Sequence, residues 1–303
     1  MSGWCGRLGL LGVIVLTACG QTVTGPPATE ASTPTEAAET SEAQDVAALV
    51  PAGYSGRFRA TATVLEDAGH GPQLCLGPVA TSLPPQCGGL DLPGWTWADV
   101  VHEDAYGVRW ATATVTGTLE GRALTMTEPP RQGEEHWQRP TSEFDASAPY
   151  APPEGGWAPV ELATTTDAGM QATMDIARES PDHAGLWVDQ SQLPADTQPE
   201  QQNDPRRTVL VLAYTGDPES HLPAVRRVWG GALCLTQLPR SYAELERISA
   251  ELAQEPFLML GVDVTGNRVT MTSEVAWQQT QDDLDARYGA GVVRLTGALT
   301  AVD

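Results

Sequence analysis

Thr208-Val209-Leu210-Val211-Leu212-Ala213-Tyr214 is an unbroken apolar run of strand length, entered from Arg207 and left at Thr215. It does not alternate, so it reads as a strand covered on both faces. The elements downstream of it follow from their own signals. Glu219 to Trp229 carries Leu222, Val225, Val228 and Trp229 at helical spacing and stops at Gly230-Gly231. Ala232 to Leu238 is a second strand. Ser241 is positioned to cap a helix running to about Gln254, with Glu244 at the capping-box position and Leu245, Ile248 and Leu252 as its apolar stripe. Phe257 to Val264 and Arg268 to Val275 read as strands joined at Thr265-Gly266-Asn267, a tight-turn signature. Gln278 to Tyr288 reads as a helix stopped by Gly289, and Val292 to Leu299 as the last strand.

Two pieces of this region are alike. Val209-Leu210-Val211, a helix and then Trp229-Gly230-Gly231-Ala232-Leu233-Cys234-Leu235 parallel Val269-Thr270-Met271, a helix and then Tyr288-Gly289-Ala290-Gly291-Val292-Val293. From Ala232 onward the order β-α-β-β-α-β is that of the ferredoxin-like split βαβ plan, with an added β-α unit before it.

Upstream, the pattern changes to alternation. Between Tyr54 and Glu66, Phe58, Ala60, Ala62 and Val64 share one face, and Arg57, Arg59, Thr61 and Thr63 the other. Gln73 to Leu76, Val108 to Thr118 and Ala123 to Thr127 are further short strands, with Gly121 suited to a hairpin turn. Glu128 to Gly156 is rich in Pro, Gly, Glu and Ser and reads as a linker. Ala158 to Ala163 and Leu186-Trp187-Val188 are strand candidates, and Leu193 to Arg207 a polar loop. The expected fold class is α+β. A small, mostly β, OB-like domain over 51–130 is followed by a linker and irregular segment over 131–206. A ferredoxin-like α/β sandwich with an added β-α unit covers 207–303.

The N-terminus carries an address. Arg7 precedes the apolar run Leu8 to Leu16. That run is too short to span a bilayer, which takes about 20 apolar residues, and it fits a secretory signal. Leu16-Thr17-Ala18-Cys19 resembles the lipobox of bacterial lipoproteins. The resemblance implies cleavage after residue 18, lipidation of Cys19 and anchoring to the outer face of the plasma membrane. Residues 19–50 then read as a disordered tether, built of Thr, Ala, Pro, Ser, Gln and Glu without a basic residue. A flexible chain of that length reaches about 30 Å.

The chain has 303 residues and a formal net charge of −22, and all 17 of its basic residues are arginine. Such acidity opposes nucleic-acid binding, which depends on cations displacing counterions. Cys5 leaves with the signal peptide and Cys19 is the lipidation site, which leaves Cys75, Cys87 and Cys234 in an oxidising compartment. A Cys75–Cys87 bridge is expected; the alternative pairs Cys234 with one of them. Leu74-Cys75-Leu76-Gly77, Ser82 to Gly89, Gly94-Trp95-Thr96-Trp97 and Leu284 to Val293 resemble uncharacterised envelope lipoproteins of actinobacteria. That resemblance implies export and supplies no catalytic residues.

The chain carries no Gly-x-Ser-x-Gly, HExxH, CxxC, P-loop or GxGxxG string. Two imidazoles and two sulfurs, His70, Cys75, Cys87 and His102, have the chemistry of a zinc site but no compact zinc spacing, and the bridge is the expected reading. Asp282, Asp283 and Asp285 read as a solvated helix start, set against a calcium site. Glu103 and Asp104 are adjacent acids near the tryptophans. Trp95, Trp97 and Trp110 are candidates for a ligand platform, set against ordinary core packing. No catalytic residue, metal or cofactor is expected. The function expected from sequence is a membrane-tethered, non-catalytic binding module whose partner is an envelope protein or glycan. The alternative is an envelope hydrolase with a nonstandard site.

Overall fold

The computed structural model describes residues 49–133, 146–194 and 196–302. The signal peptide, Cys19 and all but the end of the tether lie outside them. The fold is α+β, mostly sheet with few helices.

The first part contains β1 (Arg57–Glu66), β2 (Gln73–Cys75), β3 (Leu90–Asp91), β4 (Glu103–Ala105), β5 (Val108–Glu120), β6 (Ala123–Met126) and β7 (Arg131–Gln132). Five of them close into a barrel-like ring. β1 pairs antiparallel with β2 and with β5, β2 with β3, and β6 with β5, while β3 and β6 are parallel. The alternation read along β1 places Phe58, Ala60 and Val64 inside, where they are buried; Ala111, Ala113 and Val115 of β5 are buried there too, with Leu74, Leu90 and Leu124. Opposed pairs such as Ala60↔Val115 and Ala62↔Ala113 keep the wall thin enough for a narrow ring. At the hairpin into β5, Tyr106 and Gly107 have φ of 55° and 79°, the left-handed pair that a two-residue hairpin turn requires.

This core is not made by residues 51–130 alone. Val50, Val275 and Leu299 are buried in it. Val50, expected to be the last residue of the tether, bonds through its backbone to Ala276 and Gln278.

The remaining elements are α1 (Asp167–Glu179), β8 (His183–Asp189), β9 (Val209–Tyr214), α2 (Leu222–Val225), β10 (Ala232–Gln237), α3 (Tyr242–Leu252), β11 (Met259–Asp263), β12 (Arg268–Ser273), α4 (Gln278–Tyr288), β13 (Val293–Gly297) and β14 (Thr300–Val302). β14 returns to pair antiparallel with β1 at Arg57–Arg59. The others repeat one plan, α-β-β-α-β, twice. β8 is antiparallel to β9, which is parallel to β10; β11 is antiparallel to β12, which is parallel to β13.

This repeat corrects the ferredoxin-like expectation. That plan needs the strands from Ala232 onward in one sheet, whereas β10 lies with β9 and β8, and β11–β13 form a separate sheet of three. The frame was displaced because α1 and β8 lie in 131–206, read as linker and irregular. Thr166 caps α1 by accepting from the Gly169 amide at 3.1 Å, and Met170, Met174 and Ala177 turn its apolar stripe onto β9. A side chain at position 169 would meet the carbonyl oxygens of Thr164 and Val228, so only glycine lets the helix pack this closely. Ala158 to Ala163 is not a strand: the amides of Val160 and Glu161 both bond the Gly230 carbonyl, and a 3-10 turn follows at Leu162–Thr164. The helix expected over Glu219–Trp229 is a 3-10 turn at Pro218–His221 and then the single turn α2. Pro223 has no amide to bond back to Glu219, so the helix restarts with proline in its first turn.

The two repeats differ in cover. α1 and α2 pack on one face of the β8–β10 sheet through Leu210, Leu212 and Tyr214. Ala146, Ala148, Tyr150 and Trp157 pack on the other, against Val209, Val211, Ala213 and Cys234. α3 and α4 pack on one face of the second sheet through Val269, Met271, Val293 and Leu295.

Candidate functional site

The outer face of the barrel wall is built by the residues that alternate with the core. Along β1 these are Arg57, Arg59, Thr61, Thr63 and Leu65; along β5 they are Val108, Trp110, Thr112, Thr114 and Thr116. The register sets them side by side: Leu65 opposite Trp110, Thr63 opposite Thr112, Thr61 opposite Thr114, Arg59 opposite Thr116. Leu65 and Thr116 are themselves buried, at 2% and 4% exposure, so what the wall presents runs from an apolar end at Trp110, through the hydroxyls of Thr61, Thr63, Thr112 and Thr114, to a cationic end at Arg57 and Arg59. Over the six residue steps from Arg59 to Leu65 an extended strand covers about 20 Å.

The apolar end is roofed by the loop between β2 and β3. Cys75 and Cys87 form a disulfide with Cα atoms 5.9 Å apart, and Pro84 and Pro85 lie within the loop that it closes. Leu65, Asp67, Pro84, Pro85, Gln86, Cys87 and Val108 line a groove of about 360 Å³ beneath this loop. Asp67 accepts from the amides of Gly69 at 2.6 Å and His70 at 3.1 Å. The Gly69 bond is the main reason that its carboxyl sits below the usual range, so the groove keeps one fixed negative charge. Leu83 on the loop and Tyr106 on the hairpin before Val108 are both strongly exposed. With the sulfurs bonded to each other, the set His70, Cys75, Cys87 and His102 is not a zinc site. Cys234 is outside the bridge and buried in β10, which removes the alternative pairings.

The three candidate tryptophans separate. Trp95 and Trp97 meet edge to face at 5.3 Å and pack on the barrel core. The Trp97 indole N–H donates to the Glu66 carboxylate, and its ring lies 5.0 Å from His102. Val100 is buried in the same core. Trp110 stands half-buried on the outer face instead, one residue out of phase with Ala111 in the core. Glu103 and Asp104 lie on the edge strand β4, where Asp104 pairs with Arg109 at 3.2 Å. Asp282, Asp283 and Asp285 each accept from a glutamine one turn earlier on α4, so their carboxylates do not converge.

At the cationic end three guanidinium groups surround one carboxylate. Arg57 and Arg131 both bond Glu128. Burial pushes the Glu128 carboxyl up, but the bonds from the two arginines and the charge of Arg59 leave it below its usual value. Arg59 itself donates to the neutral hydroxyl of Thr116 at 3.1 Å. The outward direction of Arg57 and Arg59 is legible from the alternation. Glu128 and Arg131 fall in the stretch read as linker; Glu128 is brought here by the continuation of the β5–β6 hairpin, where the Thr127 amide bonds the Thr116 carbonyl, and Arg131 by the pairing of β7 with β5.

A second cluster stands at the carboxyl end of β9, the edge where open α/β sheets hold ligands. His221 lies flat on the Tyr214 ring, 3.7 Å away, and its Nε2 is 3.1 Å from Asp182 Oδ2. Burial lifts Tyr214 to about 12, and its hydroxyl is buried with no partner. Ser180 donates to the other Asp182 oxygen at 2.6 Å. A hydrolase would need that hydroxyl against the imidazole; here it is turned to the carboxylate. Asp182 and His221 lie 39 residues apart, a separation with no motif to announce it.

Among the described residues no group of three or more His, Cys, Asp or Glu is placed to hold a metal ion, and no helix is long and apolar enough to cross a membrane. The chain matches no model of a known protein family, and no curated protein sequence is detectably similar to it.

Proposed function

We propose that this chain is a lipid-anchored binding protein of the cell envelope, tethered through Cys19 to the outer face of the plasma membrane. It acts without catalysis, through the outer face of its barrel. One observation carries the binding reading: β1 and β5 are sealed on the inner side and present a graded face of indole, hydroxyl and guanidinium groups on the outer side. A wall that served only as structure has no need of that gradient. The barrel is read as OB-like, supported by the ring order and the parallel β3–β6 closure. Barrels of that kind bind extended polymers on their outer wall. The anchor rests on Leu16-Thr17-Ala18-Cys19 and on the residues after it, whose composition suits a spacer.

Two measurements test the reading. Cys19→Ala leaves the protein folded and moves it from the membrane fraction to the soluble fraction; full retention on membranes contradicts the anchor. The full chain in nonionic detergent cosediments with cell-wall material from its host, and Trp110→Ala weakens that binding. Equal cosedimentation of the two, or none by either, contradicts the binding face.

A further inference from the structure

We infer that the cationic end of the outer face, built on Arg59 and Arg131, is an oxyanion site that selects an extended anionic glycan, one carrying phosphodiester or carboxylate groups along a sugar backbone. The inference rests on the reading of this face as the binding surface and adds the ligand's class to it.

Arg131 lies opposite Thr114, and Arg59 opposite Thr116 on the next outward rung of β5. Rungs on one face are about 7 Å apart, and β1 and β7 flank β5 at about 10 Å from each other, so the two arginines stand on either side of one stretch of β5, a span that an extended ligand can bridge. Arg131 reaches Glu128 only at 3.4 Å and is two-thirds exposed. Arg59 is held by a neutral hydroxyl and keeps its charge available. Guanidinium groups bind phosphate and carboxylate through paired N–H donors, which suits an oxyanion better than a point charge does. The row Thr61, Thr114, Thr63 and Thr112 can donate to and accept from sugar hydroxyls. Trp110 offers an indole face at the far end, so the ligand must be long as well as charged. The chain's charge of −22 does not forbid this: at physiological salt, fields fade over about 8 Å, and among the described residues Arg57, Arg59 and Arg131 stand about the single carboxylate of Glu128.

The test titrates the full chain in nonionic detergent with poly(glycerol phosphate), polygalacturonate, uncharged dextran and inorganic polyphosphate. At least one charged glycan is expected to bind about tenfold more tightly than dextran, and Arg59→Gln with Arg131→Gln to remove about tenfold of that affinity. The double variant should stay folded, with a melting temperature close to that of the parent. Whichever charged glycan prevails identifies the anion as phosphate or carboxylate. Glu128→Gln should tighten the same binding, and it decides the matter if the double variant does not fold. Dextran binding as tight as that of the charged glycans, still weakened by Trp110→Ala, overturns this inference and leaves the binding face standing. Inorganic polyphosphate binding as tightly as the glycans overturns it too, because charge alone would then suffice. No binding by any of the four also overturns it, whereas the binding face falls separately, on the cell-wall cosedimentation.

Discussion

β9 and β1 are both central strands, and they are used in opposite ways. All six residues of β9 are buried, with helices over one face and the segment from Ala146 to Trp157 over the other. β1 buries Phe58, Ala60 and Val64 and turns Arg59, Thr61 and Thr63 to the outside. A strand covered on both faces has no side chain left for a ligand, and its cost is polar groups stranded in apolar surroundings, such as the Tyr214 hydroxyl. A strand covered on one face can carry function without loss of stability. The second repeat shows that covering both faces is not inherent in the α-β-β-α-β plan: in β12 only Val269 and Met271 are buried.

The contrast can be broken by mutation. Leu212→Ala opens a void between β9 and the helices and should cost about 3–5 kcal/mol in urea denaturation. A loss under about 1 kcal/mol would mean that this sheet is not the packed layer described. Replacing Cys75 and Cys87 together by serine releases the loop that roofs the groove and should cost about 2–3 kcal/mol in the chain-entropy account. It should also weaken cell-wall binding, and retained affinity would show that the roof plays no part in it.

A smaller effect is set by pH. Burial, with Arg178 nearby, pushes His183 below its ordinary value of 6.5, although Asp182 opposes this. Below that value the unfolded chain takes up a proton that the folded chain refuses. Stability therefore falls as pH drops through 6.5 and levels off below the folded pKa. His183→Gln should flatten this part of the curve between pH 7.5 and 5.5; an unchanged slope would assign it to other groups. The smallest effect is expected on the open face. Thr61→Ala loses one exposed hydroxyl contact with Thr114 and should change stability by less than about 0.5 kcal/mol. A cost comparable to that of Leu212→Ala would mean that the outer face is buried after all.

Local signals made much of this fold legible. Alternation set the inside and outside of β1, Ser241 marked the start of α3, and the Thr265-Gly266-Asn267 turn placed the β11–β12 hairpin. The likeness between the Val209 and Val269 pieces was also visible, but not its frame. The only large apolar residues of α1 are Met170, Met174 and Ile176, so its stripe has little contrast, and β8 follows it after only three residues. Long-range pairings left no local trace. Nothing in Thr300-Ala301-Val302 announces that it will join Arg57–Arg59, and nothing near Val50 says that it closes the barrel core beside Val275. The candidate site was half visible for the same reason. Arg57, Arg59 and the Cys75–Cys87 bridge follow from spacing, whereas Glu128 arrives through the continuation of the β5–β6 hairpin and Arg131 through a two-residue strand, both inside an apparent linker.

Hydroxyl-radical footprinting of the full chain, with and without cell-wall material, tests the central claim most directly. The account predicts that Trp110, Pro84 and Pro85 lose reactivity on binding while Tyr288, on α4, keeps it. Unchanged reactivity at Trp110 and the two prolines, with shielding elsewhere on the molecule, would contradict it.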